Sequence, residues 1–173
     1  MNSKSQTLIS RGYQLYTNAA DSLKSPFLLA VRLYWGGQLM QSGWGKLHNI
    51  AGVTQFFSSL GLSAPHFAAI AISSLELFGG ALLAIGLGSR LIGLVLSVNM
   101  LMAYLTADRE ALMSVFSDPG KFYNADPFTF LMASLLVFIF GAGFFSVDQL
   151  LHTIVSSRQP VIRRAVASEP KAA

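Results

Sequence analysis

Polar and apolar positions along this chain fall into long blocks rather than a short alternation. Residues 27–45 contain one charged side chain, Arg32, and residues 66–87 contain one, Glu76. Residues 91–107 and 128–147 contain none. About 20 predominantly apolar residues are needed to cross the hydrocarbon of a bilayer, and all four blocks approach that length. A soluble helical bundle would need a polar face recurring every 3.6 residues, which these blocks lack. The pattern therefore predicts an all-α protein, a four-helix transmembrane bundle.

Between and beside the blocks the periodicity changes. Ile9, Tyr13, Tyr16, Ala20 and Leu23 recur at three- and four-residue steps, an apolar stripe on a helix, suited to lie along the inner membrane surface. Val53, Phe56, Phe57 and Leu60 repeat the pattern as an amphipathic segment in the first outer loop. Gly61 is placed to stop it, and Pro65 suits the first turn of the next span. Residues 108–126 form a second outer loop with a turn at Asp118-Pro119-Gly120. Three segments result: a polar and amphipathic tail over 1–25, a four-span domain over 26–152 and a basic tail over 153–173, disordered from Arg158 onward. Gly80, Ala84 and Gly88, then Ser89, Gly93 and Ser97, predict close packing of spans two and three on each other.

Composition strengthens the membrane assignment. Hydrophobic residues make up 53% of the chain and charged residues 12%, against about a quarter charged in soluble domains. Eight of the 12 basic residues fall on one side of a four-span arrangement: Lys4, Arg11, Lys24, Arg90, Arg158, Arg163, Arg164 and Lys171. Lys46, Arg109 and Lys121 fall on the other. Positive residues mark the cytoplasmic face, so both termini are expected there, in a bacterial-type cytoplasmic (inner) membrane. No cleavable signal peptide is read in the first 25 residues, and the first span serves as its own insertion signal. The basic residues follow membrane orientation, so no nucleic-acid partner is expected. With no cysteine, the chain can supply no thiolate to a zinc or iron–sulfur site.

Charges inside a span are costly and turn inward towards partners. At about 1.5 Å per residue, Arg32 stands about 9 Å above the inner end of span one, counted from Pro26, and Glu76 about 15 Å above that of span two. Asn99 and Gln38 stand about 14 and 18 Å deep. The four side chains are expected to converge, with Arg32 pairing with Glu76. Such a cluster can pin two helices, or it can bind a polar headgroup such as a quinone carbonyl and relay a proton. Arg90 reads as an interfacial anchor. His48, His66 and His152 all lie near span ends rather than deep in a span, and no metal site is predicted.

The stretch from Arg32-Leu33 through Ser42-Gly43-Trp44-Gly45-Lys46-Leu47, Phe56-Phe57-Ser58-Ser59-Leu60-Gly61-Leu62, Leu75-Glu76-Leu77-Phe78-Gly79-Gly80, Gly86-Leu87-Gly88-Ser89-Arg90, Gly141-Ala142-Gly143 and Ser146-Val147-Asp148 resembles the DoxX family of small four-helix membrane proteins. The resemblance covers most of the chain, from Arg32 to Leu151. It implies a four-helix membrane bundle and, by analogy with some members, a membrane subunit of a quinone-linked oxidoreductase complex. The family's recurring polar positions fall here on Arg32, Lys46, Glu76, Arg90 and Asp148. Gln38 and Gln41 stand where the family is usually apolar, and the insertion between spans three and four is long. The chain has no intrinsic redox cofactor in this reading. Quinone is its ligand, the bilayer its surroundings, and a redox protein carrying flavin, haem or metal its partner; self-association is a further expectation. The alternatives are a small-molecule transporter or permeation subunit, and a membrane scaffold without a ligand.

Overall fold

The fold was analysed as a computed structural model that describes residues 3–156, with side chains from residue 13. Ile9, Lys4, Arg11 and the tail beyond Ser156, with its four basic residues, lie outside the described residues or side chains. The described residues form helices and loops and contain no strand.

Helix α1 (Ser3–His48) runs through Pro26 without a break. At about 1.5 Å per residue its length is about 69 Å, more than twice the hydrocarbon thickness. The stripe of Tyr13, Tyr16 and Leu23 is therefore the first half of this helix rather than a separate surface helix, and all three side chains are exposed. Helix α2 (Ile50–Ser59) is capped at its start by the Asn49 side chain, which accepts from the Gly52 amide. It stops where expected, with Gly61 in the left-handed region at φ 78°.

Helix α3 (Pro65–Ile85) begins on the proline and ends on Gly86 at φ 73°. Gly88, also left-handed, then caps α4 (Ser89–Thr106), so three residues turn the chain. These two helices are long and apolar enough to cross a membrane. Only 33% and 39% of their most apolar windows is buried. Leu91, Leu94, Val98, Leu101 and Leu105 of α4 point outward, where a core helix of a soluble domain would bury them.

The loop after α4 folds into two short helices, α5 (Arg109–Met113) and α6 (Pro119–Tyr123). Asp118 caps α6 through the Lys121 amide, and Lys121 pairs with Glu110 at 2.8 Å. The buried Tyr104 ring stacks on Phe122 and donates its hydroxyl to that residue's carbonyl. Helix α7 (Pro127–Phe140) is shorter than its apolar run predicts. It breaks at Gly141 (φ 78°, ψ −168°), a backbone conformation that favours glycine, and the chain becomes helical again over 147–156.

One apolar core joins α1, α3, α4 and α7 through Leu39, Leu83, Leu96, Met100 and Val137. The close pairs within it differ from the sequence expectation. Gly80 and Ala84 of α3 meet Gly36 of α1, and Gly93 of α4 meets Ser134 and Phe138 of α7. Helices α3 and α4 are held further apart, with Leu96 lying over Gly79. The small faces bind where the facing helix also offers small residues or bare backbone, and α1 offers Gly36 and Gly43.

Gly43 illustrates the constraint. A Cβ there would collide with the backbone of Leu77 and Ser73, whereas one at Gly45 would meet nothing within 4 Å. Gly43→Ala is expected to destabilise by about 1–3 kcal/mol through overpacking. Gly45→Ala is expected to be neutral or to stabilise by up to about 1 kcal/mol from helix propensity. Thermal unfolding of the two variants in detergent checks the contrast.

Candidate functional site

The register of α1 against α3 decides which polar groups meet. Contacts of residue 36 with 80 and 84, and of 43 with 73 and 77, make the helices antiparallel and place Glu76 opposite Ser42 and Lys46. Those two residues are four apart and share one face of α1. Glu76 is 3% exposed, and both of its carboxylate oxygens are engaged. Lys46 Nζ donates to Oε1 and Oε2 at 2.5 and 2.7 Å, and Ser42 Oγ donates to Oε2 at 2.9 Å. The Lys46 side chain is 36% exposed against 5% for that of Glu76, so the pair reaches from the helix interface to the surface. The absence of a side chain at Gly43 lets the two backbones close around it. Ser73, one turn from Glu76 on α3, is fully buried, and its hydroxyl has no partner among the described residues.

Arg32 takes a different place from the one its depth suggested. It is 1% exposed and donates from Nη1 to the Ala142 carbonyl and from Nη2 to the Phe145 carbonyl, both at 2.5 Å. The guanidinium packs against Gly86, where a Cβ would collide with it. Arg32 is therefore level with residue 86 of α3, ten residues or about 15 Å from Glu76 along the helix, and the expected Arg32–Glu76 pair does not form. Its role is local: it satisfies carbonyls that the break after α7 leaves without helical donors.

Asp148 belongs to the same junction. Its carboxylate accepts from the Gly88 amide at 2.7 Å and the Ser89 amide at 2.8 Å, and its own amide donates to the Gly86 carbonyl at 2.9 Å. Burial alone would raise its pKa. The amide hydrogen bonds and the attraction of Arg32 outweigh that and hold it below the ordinary carboxylate value. A lowered native pKa gives stability that is fully present above the unfolded carboxylate value of about 4 and lost as pH falls through the native one. Asp148→Ala is expected to cost about 1–2 kcal/mol, as loss of a helix cap does. It should also flatten the acid limb of a melting-temperature profile between pH 7 and 3.

The expected four-membered cluster thus resolves into two centres, and neither includes the amides. Gln38 is exposed, Asn99 is half-buried, and neither side chain forms a hydrogen bond within the described residues. Arg90 is exposed beside Gly141. Lys46 and Ser42 are the functional candidates that depth counting missed; their i, i+4 spacing around Gly43 is the signal that could have found them. At the far end of the helices, His48 Nδ1 lies 2.9 Å from the Trp44 carbonyl and His66 Nδ1 lies 3.3 Å from Thr54 Oγ1.

Residues 27–109 match the DoxX family model, a stretch that holds Arg32, Ser42, Lys46, Glu76 and Arg90 but not Asp148. The chain is 29% identical over 120 residues to a Bacillus subtilis (strain 168) protein named "Putative oxidoreductase CatD", covering 69% of this chain and 83% of that one. No solved structure matches the chain significantly. The DoxX family is membrane-associated. From Phe27 of α1 to Arg109 at the start of α5, this chain is similar to the DoxX family.

Proposed function

We propose that the chain is a multi-pass protein of the cytoplasmic membrane, crossing it four times with both termini inside, and that it acts as the membrane subunit of a quinone-linked oxidoreductase. The observation that carries the functional part is Glu76, a carboxylate buried inside the helix packing yet linked through Lys46 to the surface. Intramembrane carboxylates mark proton paths. Reducing a quinone to its quinol takes two electrons and two protons. A partner protein carrying flavin, haem or metal supplies the electrons. Protons enter at the exposed Lys46 ammonium and pass through Glu76 to the quinone oxygen, with Ser42 holding Glu76 Oε2 in place. The relationship to a protein named as an oxidoreductase supports the reaction class.

Three features support the crossings. The apolar faces of α3 and α4 point outward. The second half of α1 carries Arg32 as its one charge before Lys46. The end of α3, the start of α4 and the end of α7 meet at one level through Arg32 and Asp148, as they would at a membrane face.

The test compares quinone extracted from purified wild-type and Glu76→Gln protein of equal monodispersity, together with quinol-coupled electron transfer in membranes. Loss of the charge-assisted hydrogen bond that a quinol hydroxyl would donate to the Glu76 carboxylate predicts a decrease of about tenfold or more in the quinone and quinol retained. Unchanged quinone content and unchanged electron transfer would remove the proposal.

A further inference from the structure

At the end of the helices that carries the α3–α4 turn there is an open cleft of about 650 Å³, walled by the first residues of α4, the break after α7 and the start of the helical stretch at 147. Its charge is one-sided. Asp148 is the lone carboxylate in the lining, and the Gly88 and Ser89 amides already occupy it. Arg90 and His152 line the same cleft, both exposed. Neither side chain has a hydrogen bond or ion pair within the described residues. Arg90 lies over Gly141, at ordinary contact distance from where a Cβ would stand. A second cation, Lys24 of α1, stands beside the cleft, 5.3 Å from the centre of the Phe140 ring at its edge. Phe140 and Leu91 form the apolar edge of the cleft and are 49% and 66% exposed. Two cations beside outward apolar side chains match a phosphate attached to acyl chains.

We propose that this cleft binds the phosphate of an anionic membrane lipid, with Arg90, His152 and Lys24 on the headgroup and Leu91 and Phe140 along the chains. Basic pockets between membrane helices on the cytoplasmic side bind such headgroups. The site lies apart from Glu76, and Asp148 acts within it as a brace that keeps the α4 amides out of the binding chemistry.

The inference rests on the membrane assignment made above, and the experiment separates the two. Full-length protein is reconstituted in nanodiscs of phosphatidylcholine with a titrated fraction of phosphatidylglycerol or cardiolipin, and retained lipid is counted by native mass spectrometry. Wild-type protein is expected to retain the anionic lipid selectively. Each cation removed should weaken retention about fivefold, so Arg90→Gln loses about fivefold and Arg90→Gln with Lys24→Gln about 25-fold. Arg109→Gln, an exposed cation outside the cleft, should change nothing. Inorganic phosphate should compete only weakly. Equal retention of anionic and zwitterionic lipid would overturn the site, as would equal effects of Arg90→Gln and Arg109→Gln. Inorganic phosphate binding as tightly as the lipid would make it a free-anion site and also overturn the proposal. Protein recovered from cells without detergent would refute the membrane assignment itself.

Discussion

Arg32→Leu is expected to destabilise the protein by about 1–4 kcal/mol: the buried Ala142 carbonyl left without a donor costs about 1–3 kcal/mol, and the part-buried Phe145 carbonyl, which water can reach, about 1 kcal/mol or less. Ala142 and Phe145 lie in the break between α7 and the helical stretch that follows, so no neighbouring amide replaces the guanidinium. Arg32→Lys should recover less than half of the loss, because one ammonium cannot reproduce two parallel donors held in a planar fork. Thermal or denaturant unfolding in detergent measures both variants. With about 15 Å between the two levels, the effects of Arg32 and Glu76 substitutions should add, as they do for sites further than about 7–10 Å apart. A strong interaction term would restore the direct pairing that depth alone suggested, and a wild-type melting temperature for Arg32→Leu would contradict the account of the junction.

The second large effect is asymmetric. Lys46→Met leaves the Glu76 carboxylate buried with only Ser42 beside it, at a cost of about 3–5 kcal/mol unless it takes up a proton. Glu76→Leu leaves Lys46 without its partner, but that side chain is 36% exposed and can extend to the surface. The second loss should therefore be the smaller. The double variant Lys46→Met with Glu76→Leu should recover most of the stability, since apolar replacements of buried pairs are often neutral. Quinol-coupled electron transfer should nevertheless remain lost. A double variant that is both stable and fully active would make the pair a pin between α1 and α3 and nothing more.

Local chemistry made much of this legible in the sequence. Gly61, Gly86, Pro65 and Asp118 act within one turn of their own positions, so their roles follow from short stretches of chain. Glu76 stood out because an acidic group amid apolar residues needs a partner wherever it sits. The partner itself was not legible. Counting depth from Pro26 assumed that span one starts there, but α1 continues through the proline, and Arg32 comes level with Gly86. Depth also gives no azimuth, so nothing in the count turned Gln38 outward or brought Lys46 and Ser42 inward. The small-residue stripes were recognised but assigned to the wrong neighbour, because a stripe states how close a helix can come and not to which helix. The uncharged run over 128–147 concealed the break at Gly141, since hydropathy does not register backbone conformation. Gly141 and Gly143, both at positive φ, carried that information.

The proposed four crossings with both ends inside underlie every functional statement, and the absence of cysteine from the sequence makes them directly measurable. Single cysteines placed at exposed positions, Ser22→Cys, Gln55→Cys, Ser117→Cys and His152→Cys, can be probed with a membrane-impermeant maleimide on intact cells and after lysis. The account predicts labelling of Gln55→Cys and Ser117→Cys on intact cells, and of Ser22→Cys and His152→Cys only after lysis. Labelling of all four from the same side, or of Gln55→Cys and Ser117→Cys from opposite sides, would contradict it.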